Sequence, residues 1–215
     1  MLSPTHWLKK VGLSPGLVPF FKCVCVYFAA GVGAAPSAVA VAAKCAPVLS
    51  LLLLLLWHRP RVRYGQYVCA GLALSALGDA LLVFEQGLAP GIAAFAAAHI
   101  AYIAAFGWGS PRFGMLGLAL YVATTAFVWQ LPHWLGALVP AYAALLATTA
   151  WRGVARGGRA AVGAVLFLLS DAVLALQLFS HHPPLPYHQV LVMASYYLGQ
   201  LGIALSVFEN DCKQQ

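Results

Sequence analysis

The sequence predicts an all-α membrane protein built as a bundle of eight transmembrane helices. Hydrophobic residues make up 62% of the 215 residues and charged residues only 8%, a composition far from that of a soluble globular domain. A helix that crosses a hydrocarbon core of about 30 Å needs about 20 mainly apolar residues. Proline, glycine and arginine divide this chain into eight segments of about that length.

Proline, glycine or arginine residues bound the predicted spans, and the connections between spans are too short to hold a soluble domain. The spans cover residues 17–35, 37–57, 66–84, 88–108, 113–131, 134–151, 160–179 and 187–208. Residues 1–16 are then an N-terminal cytoplasmic segment, residues 17–208 one transmembrane catalytic bundle, and residues 209–215 a C-terminal cytoplasmic tail.

The basic residues give an independent indication of topology, because cytoplasmic loops carry an excess of Lys and Arg. With eight spans, both termini and every second loop share one side of the membrane. Only Lys22 and Lys44 lie inside spans, and the other ten basic residues all fall on that side: Lys9, Lys10, Arg59, Arg61, Arg63, Arg112, Arg152, Arg156, Arg159 and Lys213. Both termini are therefore predicted to be cytoplasmic. Topology explains the net charge of +7, so a nucleic-acid partner is not expected.

Two aspartates lie inside stretches that are otherwise apolar. Asp79 stands in SALGDALL and Asp171 in FLLSDAVLAL, in a chain with only five acidic residues. Moving a carboxylate to the middle of a bilayer costs roughly 2.5–3.5 kcal/mol on insertion scales, so such a residue is by default a candidate for a functional site. Asp79 and Asp171 are the candidate catalytic residues.

The surroundings of the two aspartates suggest an internal duplication. Asp79 lies in the third of the first four spans and Asp171 in the third of the second four, in Gly-Asp-Ala-Leu-Leu and Ser-Asp-Ala-Val-Leu. A four-plus-four repeat would be parallel, related by an axis along the membrane normal, and would place the carboxylates at similar depth. The alternative is a chance match in a chain rich in Ala and Leu.

Further polar side chains are predicted at comparable depth, roughly 8–20 Å from the non-cytoplasmic ends of their spans at about 1.5 Å per residue. Tyr196 and Gln200 share a helix face at i and i+4, and His99 and Tyr102 share one at i and i+3. The candidate substrate-binding residues are Lys44, His99, Tyr102, Tyr196, Tyr197 and Gln200, with Lys22 nearer the cytoplasmic end of its span.

Structural roles explain some of these residues equally well when each is taken alone. Lys44 can form an interhelical ion pair with Asp79, and His99 can be a hydrogen-bonded packing residue. Lys22 can extend its ammonium group toward the membrane surface. The number of polar groups at one depth, in a chain so short of charge, favours a polar pocket.

Together these residues resemble the lysoplasmalogenase (YhhN-like) family of multi-pass membrane proteins. The resemblance covers nearly the whole chain, and LVPFFKCVCVYF near the start is similar to the vertebrate members. The motifs that carry it are Lys44-x-x-Pro47, Gly78-Asp79, Ala98-His99 with Tyr102, Phe167 with Ser170-Asp171, and Tyr196-Tyr197-x-x-Gln200.

The resemblance implies an ether hydrolase of the endoplasmic reticulum membrane. Its substrate would be a lysoplasmalogen, whose vinyl-ether bond is cleaved to a fatty aldehyde and glycerophosphoethanolamine or glycerophosphocholine. The expected partners are this lysophospholipid and the membrane lipids, and a homodimer is left open. No cofactor or metal is expected.

The chemistry of a vinyl ether suits a pair of carboxyl groups. Protonation of the β-carbon gives an oxocarbenium ion, which water captures before the hemiacetal collapses. Two neighbouring carboxylates do not both ionise easily, so one retains a proton. That member would act as general acid while the other stabilises the cation and orients water, as in glycosidases. The sequence does not decide which of Asp79 and Asp171 has which role.

Two other functions are compatible with the same residues. A metal-dependent intramembrane hydrolase would use Asp79, His99 and Asp171 as ligands, although zinc sites usually draw on more than one His. A proton-coupled transporter would use the paired carboxylates at a repeat interface. A receptor or scaffold would not need the buried charges.

Overall fold

The computed structural model describes residues 15–30, 35–60, 62–108, 114–129, 136–179 and 186–213. Helices form almost all of these ranges, which contain no strand, and the predicted all-α class is confirmed. The α-helices are α1 (Val18–Ala29), α2 (Ala38–His58), α3 (Arg63–Leu81), α4 (Leu88–Phe106), α5 (Gly114–Val128), α6 (Leu138–Arg156), α7 (Gly158–Phe179) and α8 (His188–Lys213).

These helices follow the eight predicted segments in order, but several boundaries differ. Helix α1 ends at Ala29 rather than at residue 35, and α6 ends at Arg156 rather than at residue 151. Helix α8 continues to Lys213, although residues 209–215 were predicted to be a tail. The polar residues at its end mark where the apolar stretch stops, but Glu, Asn and Lys do not stop a helix that extends into water. Residues 1–14 of the predicted N-terminal segment, with Lys9 and Lys10, lie outside the described residues, as do Arg61 and Arg112.

Four of the helices are long and apolar enough to cross a membrane, namely those over Ala38–His58, Glu85–Phe106, Gly158–Leu178 and His188–Glu209. The chain is therefore a multi-pass membrane protein. Helices α1 and α5 are apolar but have only 12 and 15 residues, which correspond to about 18 and 22 Å at 1.5 Å per residue. Helices α3 and α6 carry buried polar residues such as Ser75, Asp79, Thr149 and Arg152.

The ends of six helices meet at one end of the bundle. The C-terminal ends of α2, α4, α6 and α8 lie beside the N-terminal ends of α3 and α7, so consecutive helices run in opposite directions. The contacting pairs are Tyr64–Ser206, Arg159–Glu209, Arg156–Phe106 and His58–Phe208. This arrangement gathers the described arginines of the loops at the same end of the molecule.

Arg152 is buried at this end and ties α6 to α4. Its Nε donates to the carbonyl oxygen of Gly107 at 2.6 Å, just past the last turn of α4, where backbone carbonyls lack helical partners. The guanidinium group also lies 5.5 Å from the ring centre of Trp108 and 5.3 Å from that of Trp151. This arginine therefore serves as a helix cap and cation–π partner.

Helices α7 and α8 pack closely because small residues line their contact. A Cβ added to Gly163 would lie 2.6 Å from the backbone nitrogen of Ile203, and one added to Gly202 would lie 2.8 Å from the Cα of Gly163. Small residues allow such backbone contact between membrane helices. The contact fixes the register of Asp171 on α7 against Tyr196 on α8.

We predict that Gly163→Leu lowers stability, because its side chain would collide with the backbone of α8 rather than with a movable side chain. Overpacking costs typically 1–3 kcal/mol, so the thermal unfolding temperature in detergent should fall by several degrees. Gly114→Leu is the matched control, since a Cβ at Gly114 meets no atom within 4 Å. Equal unfolding temperatures for the two variants would contradict the described α7–α8 packing.

Candidate active site

A cavity of about 480 Å³ opens between the helices that carry the two aspartates. Its wall is mainly apolar, with Leu, Ile, Val, Ala and Phe side chains from α3 to α8. Ionisable and hydroxyl groups are few, and they are Lys44, Asp79, Thr124, Tyr142, Ser170, Asp171 and Tyr196. Long apolar walls with a small number of convergent polar groups are typical of a ligand site.

Asp79 lies on the last turns of α3 and is only 2% exposed. The hydroxyl of Tyr196 on α8 donates to its Oδ2 at 2.7 Å. Lys44, on α2, lines the same cavity, and its positive charge acts on this carboxylate. Asp79 therefore has one hydrogen-bond donor and one nearby positive charge.

Helix α2 holds Lys44 in place through its neighbours. The hydroxyl of Tyr197 donates to the main-chain oxygen of Lys44 at 2.8 Å, and the Cys45 thiol donates to the carbonyl of Ala76 at 3.3 Å. These bonds join α2 to α8 and to α3 at the level of the site. The half-buried Lys44 side chain thus starts from a fixed backbone position.

Asp171 lies in the middle of α7 and is half-buried, so it is more open to the cavity than Asp79. Its Oδ2 is hydrogen-bonded to the hydroxyl of Tyr142 on α6. The same hydroxyl lies 3.3 Å from Nε2 of His99 on α4. No cation corresponding to Lys44 is among the described residues that line the cavity beside Asp171.

His99 is fully buried behind the cavity wall, and both of its ring nitrogens have partners. Nδ1 lies 3.0 Å from Oγ1 of Thr149, which in turn donates to the Leu145 carbonyl of its own helix at 2.9 Å. The ring of Phe167 packs against the imidazole with centroids 4.8 Å apart. A continuous chain of hydrogen bonds therefore runs from Asp171 into the core of the bundle.

Comparison of the sequence with known protein families identifies the family of this chain. A sequence model described as the YhhN family matches residues 39–207, a range that contains the cavity and both aspartates. The chain belongs to the YhhN family.

Several relatives of this YhhN protein carry the name lysoplasmalogenase. "Lysoplasmalogenase TMEM86B" of Sus scrofa is 41% identical over 96% of this chain and 92% of its own length. The human protein of the same name is 38% identical over 90% of this chain and 87% of its own length. Human "Lysoplasmalogenase TMEM86A" is 36% identical over 98% and 95%. No solved structure matches this YhhN protein.

The predicted site residues of this YhhN protein occupy three positions relative to the cavity. Asp79, Asp171, Lys44 and Tyr196 line it. His99, Tyr102, Tyr197 and Gln200 are buried in the layer behind it. Lys22 is exposed on α1 and does not belong to the wall.

Tyr102 and Gln200 form a second buried group behind the cavity, next to Tyr196. The Tyr102 hydroxyl donates to Oε1 of Gln200 at 2.7 Å and lies 3.4 Å from Oγ of Ser75. Within the described part of the chain, Nε2 of Gln200 has no hydrogen-bond partner. A buried amide of this kind normally has one, so a donor is available there to a water molecule.

Sequence reasoning missed Tyr142 and Thr149. A signal was present, since both are polar residues in an apolar stretch, AYAALLATTA, and a spacing of seven places them on one helix face. Tyrosines and threonines are common in membrane helices, and only the structure shows that these two bracket His99. The described residues contain no group of three or more His, Cys, Asp or Glu that would suit a metal ion.

Proposed function

We propose that this YhhN protein is a lysoplasmalogenase, a hydrolase that releases a fatty aldehyde and a glycerophospho-alcohol from a lysoplasmalogen. The observation that carries the proposal is an apolar cavity with two carboxyl groups in its wall. The relatives named lysoplasmalogenase at 36–41% identity support the substrate class.

The cavity suits a single-chain lipid. Its volume of about 480 Å³ lies within the range of about 300–1,000 Å³ typical of small-ligand sites. Apolar residues of α5 and α7 form its long walls, among them Leu120, Phe127, Leu174 and Leu178. An alkenyl chain among these residues would place its vinyl-ether end beside Asp79 and Asp171.

Asp79 and Asp171 supply the acid and the anion that the reaction needs. Proton transfer from one carboxyl group to the β-carbon of the vinyl ether leaves an oxocarbenium ion, and the other carboxylate stabilises this cation and orients water. Because both carboxyl groups lie in the wall of one cavity, their mutual repulsion favours a state in which only one of them is ionised. Lys44 is positioned to bind the phosphodiester, and Tyr196 to hold Asp79.

We also propose that all eight helices cross the membrane and that residues 17–208 form one catalytic bundle. Two four-helix halves then follow each other in parallel, and in both halves the third and fourth helices make the most extensive contact. The second helix of each half presents a polar side chain to the aspartate of that half, Lys44 to Asp79 and Tyr142 to Asp171. The arginines gathered at one end favour cytoplasmic termini. The resemblance to the lysoplasmalogenase family supports the endoplasmic reticulum membrane as the location.

The proposed reaction predicts a specific isotope label. Purified protein incubated in D₂O with a lysoplasmalogen should release an aldehyde that carries one deuterium at its α-carbon, because that carbon receives its new proton from the enzyme acid, which exchanges with solvent. Mass spectrometry measures the label, and free aldehyde incubated in D₂O without protein controls for exchange after release.

The saturated-ether analogue of the same lipid is the matched substrate control. It has no double bond to protonate and should give no product. Equal cleavage of both lipids would contradict the vinyl-ether mechanism. Movement of lipid across proteoliposomes without aldehyde would instead favour a transporter, and activity abolished by chelator would favour a metal-dependent hydrolase.

A further inference from the structure

The hydrogen-bond chain behind Asp171 has a property that bears on which aspartate is the acid. It consists of Asp171, Tyr142, His99 and Thr149, which lie on α7, α6, α4 and α6. Each internal link joins groups that can donate or accept. The chain can therefore run in either direction.

In the first direction, every group is satisfied when Asp171 carries a proton. Asp171 donates to the Tyr142 oxygen, Tyr142 donates to Nε2 of His99, and Nδ1–H donates to Thr149, which donates to the carbonyl of Leu145. No charge is present in this arrangement. That suits an imidazole that is 0% exposed, since a buried charge without a partner is costly.

In the opposite direction, the chain is satisfied when Asp171 is a carboxylate. Thr149 then donates to Nδ1, Nε2–H donates to the Tyr142 oxygen, and Tyr142 donates to Oδ2 of Asp171. Only the bond from Thr149 to Leu145 is given up, and it links a side chain to a carbonyl of the same helix. Reversal requires proton shifts within the chain but no movement of a helix.

Among the described residues, the polar groups behind Asp79 do not form a chain that can reverse. The side chain that interacts with the Tyr196 hydroxyl is the amide of Gln200, whose nitrogen donates and does not accept. Tyr196 donates to it at 2.7 Å, and the positive charge of Lys44 lies nearby. A donor together with a cation favours the carboxylate of Asp79, against the burial that disfavours the charged form of both aspartates. The two aspartates therefore differ in what surrounds them, although both lie in the wall of one cavity.

We propose that Asp171 is the general acid of the reaction and that Tyr142, His99 and Thr149 are positioning residues that stabilise it in both protonation states. This assignment rests on the proposed lysoplasmalogenase function. Asp79 remains a carboxylate and stabilises the oxocarbenium ion. Asp171 is the residue that loses and regains a proton in each turnover.

Every proton transferred during the cycle is accounted for, and Asp171 ends the cycle with the proton it had at the start. Its proton forms a bond to the β-carbon using the π electrons of the vinyl group, and the chain reverses to stabilise the new carboxylate. Water adds to the oxocarbenium carbon and gives one proton back to Asp171. The hemiacetal then breaks its bond to the glycerol oxygen, which gains a proton while the hemiacetal hydroxyl loses one, and aldehyde and alcohol leave.

The other titratable groups in the cavity wall around Asp171 come from four helices. They are Lys44 on α2, Asp79 on α3, Tyr142 on α6 and Tyr196 on α8, and His99 on α4 acts through Tyr142. The residues of α5 in the cavity wall contain no titratable group. A measurement of protonation must therefore separate Asp171 from Asp79 and from the tyrosines.

Infrared difference spectroscopy on the purified full-length protein makes that separation without substrate. At neutral pH, the spectrum of wild type minus Asp171→Asn should contain the C=O stretch of a protonated carboxylic acid. Wild type minus Asp79→Asn should contain carboxylate bands and no acid band. An acid band that belongs to Asp79, or to neither residue, would overturn the assignment, and this readout holds whether or not the protein releases aldehyde.

The positioning role predicts how the acid band and the turnover rate change when a single residue of the chain is replaced. Tyr142→Phe should shift the acid band, because the carboxyl loses its hydrogen bond, and should lower kcat at least about tenfold, a part of the roughly 10²–10⁴-fold that general acid–base catalysis contributes. Thr149→Val should shift the band in the same sense, and Thr149→Ser should restore it. KM should stay nearly constant in all three variants.

Thr148 provides the matched control on the same helix. It is buried, donates to the carbonyl four residues earlier at 2.7 Å and bonds to the hydroxyl of Tyr121, as Thr149 does toward Leu145 and His99. Thr148→Val should leave the acid band and kcat unchanged. If Thr148→Val and Thr149→Val have the same effect, the positioning role of the hydrogen-bond chain is refuted. It is also refuted if neither Tyr142→Phe nor Thr149→Val moves the acid band, even when aldehyde is formed.

Discussion

Replacing either Asp79 or Asp171 by Asn should lower the rate of aldehyde release by about 10²- to 10⁴-fold, the range expected when an acid–base group is removed. The amide has nearly the shape of the carboxyl group and can keep the hydrogen bonds to Tyr196 or Tyr142. Asp171→Asn cannot deliver a proton to the vinyl carbon. Asp79→Asn cannot offer a negative charge to the oxocarbenium ion.

The measurement is initial aldehyde release in detergent micelles, with gel filtration and a thermal melt to show that each variant is folded. Glu85→Gln is the matched control, because it makes the same acid-to-amide change at an exposed position outside the cavity. Wild-type turnover in either Asp variant would refute a catalytic pair. Loss of activity with loss of folding would be resolved by the melt, and Asp→Glu variants would then be compared.

The fold class could be predicted, and the two aspartates could be singled out as candidates, because apolar segments and rare buried charges are properties of the chain itself. A carboxylate in an apolar segment is costly wherever the helices pack, so Asp79 and Asp171 stood out without any structure. The small number of acidic residues made this contrast sharper. Comparable depth within the spans pointed to Lys44 and Tyr196, which also line the cavity.

The sequence could not divide the remaining polar residues between the cavity and the layer behind it. His99 and Tyr102 share a helix face with cavity-lining residues, yet both lie in the buried layer because α6 and α8 cover them. Rotation of neighbouring helices by a fraction of a turn decides this, and close contacts such as Gly71 against Tyr102 set that rotation. Contacts of this kind depend on pairs of helices, so no single segment encodes them.

The unequal surroundings of the aspartates also depend on pairs of helices. The repeat-like motifs around Asp79 and Asp171 suggested equivalent residues, but α2 brings a cation to the first and α6 a phenol to the second. Under the proposed mechanism, one carboxyl group stays an anion while the other exchanges its proton. Two similar sequences would then carry two different chemical roles, a division that suits acid–base catalysis on a cationic intermediate.

Filling the cavity at Ala175 should discriminate between substrates by chain length. Ala175 lies one turn after Asp171 on α7 and lines the cavity, so the indole of Ala175→Trp would occupy space meant for the alkenyl chain. Excluding about three methylene groups at about 0.8 kcal/mol each should lower kcat/KM for a long-chain lysoplasmalogen by about 50-fold. A short-chain substrate, which does not reach that space, should be hydrolysed at close to the wild-type rate.

Val162→Trp is the control for this change, since Val162 is 60% exposed on the same helix and is not part of the cavity wall. It adds the same ring to α7 and should leave kcat/KM unchanged for both substrates. If Ala175→Trp lowered the rates for long and short chains equally, the ring would be disturbing Asp171 rather than displacing a chain. The cavity would then hold the head group, and the alkenyl chain would extend into the bilayer.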